Sequence, residues 1–183
     1  LIVLIAISES AWEPEVPAGS AVLFLAGCVL VGIACLGRLW CSLYIAGYKT
    51  SVVVTQGPYS MCRNPLYFFS LIGVVGIGFA SETFTLPVVF FLAFAIYYPL
   101  VIRSEEKELL FLHGDKFKAY MESVPRFFPN VSKLKEPEEY VVKPTVYRKH
   151  MFDALWFIWI VGLMEIVEML HELHVLPTVF RFH

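Results

Sequence analysis

The chain has 183 residues, of which 58% are hydrophobic and 16% charged, with a formal net charge of −2 and a mean hydropathy of +0.68. An average soluble domain is about 45–50% apolar and about 25% charged, so this balance argues against an ordinary cytosolic domain, a disordered chain or a nucleic-acid binder. The length suits one domain, and the apolar residues fall in runs, which makes a membrane the expected solvent.

In chain order, Leu1–Ile7 is wholly apolar and too short to span. It reads as the tail of a hydrophobic helix whose beginning is missing; a signal peptide is disfavoured, because neither a charged start nor a small-residue cleavage site accompanies it. Residues 8–17 form an acidic loop with Glu9, Glu13 and Glu15. Residues 18–37 carry no charge, and at about 1.5 Å per residue they match a hydrocarbon core about 30 Å thick. The helix is expected to continue past Arg38 to Gly47. Gly27, Gly32 and Gly37 recur along it and hint at close helix approach. Cys28, Cys35, Cys41 and Cys62 form no C-x-x-C pair and read as small buried thiols rather than a disulfide framework.

Residues 48–65 break the pattern with Lys49, the β-branched run 52–55, Gly57-Pro58 and Asn64-Pro65, dipeptides that mark turns. Two apolar runs follow, 66–80 and 84–102, separated only by Ser81-Glu82-Thr83, and this spacing predicts a helical hairpin. Pro87 falls in the first turn of the second arm, where it is tolerated, and Pro99 is expected to kink that arm near its far end. Residues 103–123 alternate charges with Leu109, Leu110, Leu112, Phe117 and Tyr120, the pattern of a helix leaving the membrane. Residues 125–150 are loop-like. Residues 151–170 read as a fifth span, with an interfacial helix as the alternative.

Taken together, the pattern predicts an all-α, multi-spanning membrane helical bundle of about five spans, the first truncated, with a cytosolic pocket. Three segments are expected: N-terminal membrane helices over 1–47, a core over 48–129, and a linker with a C-terminal apolar helix over 130–183. Ten of the fourteen Lys and Arg residues lie within 103–150, and the 48–65 loop adds Lys49 and Arg63. The acidic loop and the hairpin tip have none. Loops thus alternate poor and rich in basic residues, which by the positive-inside rule places both turn-rich segments on the cytoplasmic side.

Those two segments hold Gly57-Pro58-Tyr59 and Arg63-Asn64-Pro65-Leu66-Tyr67, then Arg103 with Glu105-Glu106, the string from His113 to Tyr120, and Val124-Pro125-Arg126. In order and spacing across residues 48–129 this resembles the isoprenylcysteine carboxyl methyltransferase and phospholipid methyltransferase family. Asn64 stands where many members carry His, and Phe69 where many carry Gly. A ring at 69 is expected to narrow the cofactor cleft or the acceptor entrance.

The resemblance implies methyl transfer from S-adenosylmethionine to a lipophilic or small acceptor: an isoprenylcysteine-like carboxylate, a phospholipid amine or a thiol. The partner implied is a membrane lipid or lipidated substrate. By carry-over, Tyr59, Asn64, Pro65, Leu66 and Tyr67 wrap the cofactor; backbone groups of Ser51, Val52, Val53 and Val54 can reach it, and Glu105 or Glu106 can hold its ammonium or ribose hydroxyls. Arg103 is expected to orient an acceptor carboxylate or phosphate, because a guanidinium stays charged and forks to two oxygens. A membrane reductase of the sterol type and a non-catalytic membrane subunit remain as alternatives. Glu165, Glu168, His171 and His174 recur at steps of three, but on 3.6-residue geometry they drift round the helix. They read as an amphipathic helix end, and no metal site is expected.

Overall fold

The computed structural model describes residues 8–10, 17–173 and 180–182. Six helices dominate: α1 (Pro17–Ile45), α2 (Pro58–Met61), α3 (Pro65–Ala80), α4 (Thr85–His113), α5 (Asp115–Ser123) and α6 (Pro144–Glu172). A single 3-10 turn covers Val131–Lys133, and two three-residue strands, β1 (Ser8–Ser10) and β2 (Phe180–Phe182), pair in parallel. The expected helical membrane architecture is therefore present. The truncated first span lies outside the described residues, as do the side chains of Glu168, His171 and His174.

Proline opens α1, α2, α3 and α6. The ring sets φ for helix, and the missing N–H falls where no intrahelical partner exists. Three helices are long and apolar enough to cross a membrane: Gly19–Ile45, Thr85–His113 and Pro144–Val167. The 16-residue α3 is apolar but shorter. Pro99 lies inside α4, and the helix runs on through the charged stretch to His113. The helix leaving the membrane is thus continuous with the second hairpin arm and ends at Gly114, whose φ of 51° suits a residue without a Cβ.

The chain divides into two compact units. One comprises Leu1–Ile33, Ile72–Ala93 and Leu155–His183. Within it α1 and α3 approach so closely at Gly27 that a Cβ there would strike the backbone of Gly76 and Ala80. The glycine spacing noted in the sequence is thus used at Gly27, whereas Gly32 faces open space. The hairpin tip is closed by Ser81 Oγ donating to the Gly78 carbonyl at 2.7 Å and by Leu86 N–H donating to Thr83 Oγ1.

The other unit comprises Ala34–Leu71 and Phe94–Ala154. Its core gathers Cys41, Tyr44, Val54 and Tyr59, with Phe69 and Tyr140 packed against them. Across α1, α4 and α6, large apolar side chains such as Leu36, Ile96 and Trp159 are exposed. A water-soluble protein rarely exposes so many large apolar side chains, and a membrane-spanning one turns them to lipid.

Candidate functional site

All of the site lies within the unit formed by Ala34–Leu71 and Phe94–Ala154. Its frame is a set of hydrogen bonds between the stretch 57–64 and the stretch 120–135. Arg63 N–H donates to the Pro125 carbonyl at 2.8 Å. Arg63 Nη1 donates to the carbonyls of Met121 and Val124. The Asn64 amide donates to the Arg126 carbonyl at 2.9 Å. Tyr120 OH donates to the Tyr59 carbonyl at 2.7 Å, and Gly57 N–H donates to the Lys135 carbonyl at 2.8 Å. Gly57 has φ 58°, and its missing side chain leaves room for the Tyr44 ring.

The charged centre of this frame is Glu106, which is 5% exposed. Arg63 Nε donates to its Oε1 and Arg126 Nε to its Oε2, each at 2.9 Å. Arg126 Nη2 also donates to Oε2. Both carboxylate oxygens are therefore taken by guanidinium donors. Such pairing offsets the cost of burying a carboxylate, and the hydrogen bonds to Glu106 raise the Arg126 pKa. Burial raises the phenols of Tyr59 and Tyr120 above the ordinary tyrosine range, so both stay neutral at physiological pH. Burial also pushes the Cys62 thiol up to about 12. A thiol held protonated is no nucleophile at neutral pH.

Beside this frame lies a cavity of about 330 Å³. Of the eleven residues expected to contact a cofactor, Val52, Val53, Val54, Tyr59, Asn64, Leu66, Tyr67, Glu105 and Glu106 line it. Pro65 is fully buried at the start of α3 and does not line it, and Ser51 is exposed with its hydroxyl donating to the Tyr48 carbonyl. Glu105, unlike Glu106, is open to ligand. Its Oε1 meets Lys49 Nζ at 3.1 Å, with side-chain exposures of 31% and 69%. The turn that carries Lys49 is further tied to α4 by a 3.0 Å contact between His113 Nε2 and the Thr50 carbonyl, and Thr50 itself has φ 66°. An aromatic wall flanks Tyr67: its ring meets Tyr98 at 5.1 Å, and Tyr98 stacks on Phe94 at 3.7 Å.

Two expected positions fall outside the cavity lining. Arg103 is exposed and does not line the cavity. At about 100° per residue, Glu105, Glu106, Glu108 and Leu109 share one face of α4, and Arg103 projects about 140° from the middle of that face. Phe69 does not narrow the cavity either. Its ring sits over Gly37, where any Cβ would collide with it, and packs on the Cys41–Tyr59 core.

The cavity also recruits residues that the sequence reading passed over. Arg38 is the one charged residue of α1, and it lines the cavity while its Nη1 donates to Ser70 Oγ. An ionisable residue inside an apolar membrane helix is a functional signal in its own right, so Arg38 was findable. Lys49, Phe117 and Tyr120 also line the cavity, as do His150 and Asp153 from the first turns of α6. His150 Nδ1 lies 3.5 Å from Asp153 Oδ2. No motif marks these last two.

The family model for phospholipid methyltransferases matches residues 18–116. The chain is similar to the nickel-cobalt-cadmium resistance protein NccN of Alcaligenes xylosoxydans xylosoxydans, 43% identical over 139 residues, which is 76% of this chain and 65% of that protein. It is also similar to the cobalt-zinc-cadmium resistance protein CzcN of Cupriavidus metallidurans, 39% identical over 139 residues, 76% of this chain and 64% of that protein. The chain thus spans just under two thirds of the length of these relatives. No solved structure matches it.

Proposed function

Since the chain belongs to the phospholipid methyltransferase family, we propose that it is an integral membrane methyltransferase that takes its methyl group from S-adenosylmethionine. One observation carries the reading. Nine of the eleven residues expected at the cofactor, drawn from both ends of the hairpin and the segment before it, line a single cavity that contains a carboxylate already matched to an ammonium.

The cavity suits the donor in size and chemistry. A volume of about 330 Å³ lies within the about 300–1,000 Å³ usual for small-molecule sites. The Lys49–Glu105 contact demonstrates that an ammonium fits at Glu105, and an exposed pair of this kind is worth about 0–1 kcal/mol, so exchange is cheap. Glu105 is assigned the donor's amino group. Asn64, Tyr67 and the extended stretch 52–54 are assigned its remaining polar edges. Glu106, locked by Arg63 and Arg126, holds the wall in place rather than the ligand.

When bound, S-adenosylmethionine supplies an electrophilic methyl group on a sulfonium. The protein's part is to hold donor and acceptor in line and to exclude water, since orientation alone can supply about 7–11 kcal/mol of the barrier. Arg38, which lines the cavity, is assigned the role of orienting an anionic group on the acceptor. A lipophilic acceptor would arrive laterally, with the cavity facing the cytoplasm as the basic loops indicate.

Binding of S-adenosylhomocysteine to the purified chain tests the reading. Binding in the micromolar range, weakened about tenfold by Glu105→Gln, supports it; no binding to a folded chain removes it. The names of the two relatives favour a second reading at the level of physiology, a role in resistance to divalent transition metals. Cadmium tolerance of a strain carrying wild type, compared with one carrying Glu105→Gln, tests whether any such role depends on the same site.

A further inference from the structure

The unit formed by Ala34–Leu71 and Phe94–Ala154 contains a second cavity, of about 630 Å³. Lys116, Lys133 and Lys135 line it, with Thr55 and Gln56 beside them. Glu136 is the one acidic residue in the lining, and Tyr120 is the one residue that this lining shares with the first cavity. Three ammoniums against one carboxylate make a local positive excess in a chain whose formal net charge is −2. Its volume falls within the about 300–1,000 Å³ usual for small-molecule sites.

Each of the three lysines sits on a segment tied to the stretch 57–61. Lys135 N–H donates to Ser60 Oγ at 2.9 Å, and its carbonyl accepts from Gly57 N–H at 2.8 Å. Lys133 belongs to the 3-10 turn, which Asn130 fixes twice. Asn130 N–H donates to the Met61 carbonyl at 3.0 Å, and its side chain accepts from Ser132 N–H. Lys116 lies in the first turn of α5, which Tyr120 OH anchors to the Tyr59 carbonyl. The backbones are thus already in place, and a ligand need not order them. Lys133 Nζ donates to the Ser123 carbonyl, which leaves two of its three donors. Among the described residues, ion pairs engage Lys49, Arg63, Arg126 and His150, and none engages these three lysines. Like charges gathered without a counter-ion repel, and a bound anion relieves that repulsion.

We propose that this second cavity binds a phosphate group, at a site separate from the methyl-donor cavity. The proposal holds whether or not the first cavity takes S-adenosylmethionine. No arginine lines the second cavity, so no planar fork selects a carboxylate. Lysines bind phosphate as point charges, and three of them suit a tetrahedral oxyanion with several charged oxygens. The Thr55 hydroxyl and the Gln56 amide add neutral donors. Two sources carry this chemistry, the headgroup of an anionic phospholipid and phosphate free in solution. The segment that supplies Lys133 and Lys135 also exposes Val131 and Leu134, at 72% and 38%, apolar side chains that a lipid surface accepts. A loop that only obeys the positive-inside rule needs basic residues in number, not around one cavity. Lys107 and Lys118, exposed and outside both linings, serve as lysines of that kind.

The test uses the full chain in lipid nanodiscs and follows acylation of each lysine by acetic anhydride, peptide by peptide. One arm titrates inorganic phosphate into nanodiscs of phosphatidylcholine alone. The other omits phosphate and replaces a rising share of the phosphatidylcholine with phosphatidylglycerol. The expected result is saturable slowing at Lys116, Lys133 and Lys135 in at least one arm, with Lys107 and Lys118 unchanged. Slowing by inorganic phosphate alone assigns a soluble ligand, and slowing by phosphatidylglycerol assigns a lipid headgroup. Lys133→Gln combined with Lys135→Gln, read at Lys116, should raise the half-saturating amount about tenfold or more. The charge-matched pair Lys107→Gln with Lys118→Gln should leave it within about threefold, because solvent and salt screen distant exposed charges. If the first double variant fails to fold, seen as a lost thermal transition, Lys116→Gln read at Lys133 replaces it. Slowing at none of the three cavity lysines in either arm overturns the site. So does equal slowing at all five lysines, or an equal loss of affinity in the two double variants.

Discussion

Arg63 and Glu106, forty-three residues apart, meet at 2.9 Å in the interior beside the cavity. Arg63 belongs to the turn before the hairpin and Glu106 to the far end of its second arm, α4. Their side chains are 10% and 6% exposed. Removing one partner of a buried ion pair typically costs about 3–5 kcal/mol, because the other is left charged without a counter-ion. Glu106→Gln and Arg63→Ala should each lower stability by about that much in denaturant titrations of the detergent-solubilised chain. Wild-type stability in both variants would show that the pair is peripheral to the frame.

Glu105 should behave in the opposite way. Its pair with Lys49 is exposed, so Glu105→Gln should leave stability within about 1 kcal/mol yet weaken S-adenosylhomocysteine about tenfold, as loss of a charge-assisted hydrogen bond of about 1.5–3 kcal/mol implies. Lys49→Gln, which removes a competing ammonium, should tighten binding by a few-fold. Calorimetric titration reads both. Equal weakening in the two variants would mean that Lys49 contacts the ligand directly.

Much of this arrangement was legible because the informative signals were local. The apolar runs and the three-residue tip delimit the α3–α4 hairpin, and the Gly-Pro and Asn-Pro turns mark where α2 and α3 begin. The short strings around Tyr59, Asn64, Tyr67 and Glu105 name most of the cavity wall. Arg103 stands outside the cavity lining because closeness in sequence to Glu105 is not closeness in space: residues two apart on a helix lie on nearly opposite faces. Phe69 misled because a ring's effect depends on what it meets, and Gly37 receives it. His150 and Asp153 were invisible because α6 reaches the cavity from far along the chain, and nothing in its own periodicity records that neighbour. Arg38 was visible as a lone charge in an apolar helix, but its partner Ser70 required the fold.

Cys62 gives a prediction in pH. Its thiol is pushed up to about 12 by burial, against about 8.5 for a free cysteine. The folded chain therefore keeps the proton while the unfolded chain loses it. The stability this contributes is fully present below about pH 8.5 and is lost as pH rises towards about 12. Alkylation by iodoacetamide at pH 8.5, followed peptide by peptide, should leave Cys62 unmodified in the folded chain and modify it once denatured. Rapid modification of the native thiol would place Cys62 in an open, ionising environment.

The basic loops predict an orientation in the membrane. A cysteine introduced at Glu82, in the tip of the hairpin, should react with an impermeant maleimide added to intact cells, and one at Lys135 should react only after lysis. Labelling of the Lys135 position from outside would invert the topology and turn the cavity away from the cytoplasm.

The most direct test of the central claim is calorimetric titration of S-adenosylhomocysteine into the purified chain, wild type beside Tyr67→Ala. The cavity bounded by Tyr67, Asn64 and Glu105 predicts one site per chain in wild type and about tenfold or more weaker binding in Tyr67→Ala, with both proteins equally folded. Absence of binding by folded wild type, or equal affinity in the two proteins, would contradict a methyl-donor site in this cavity.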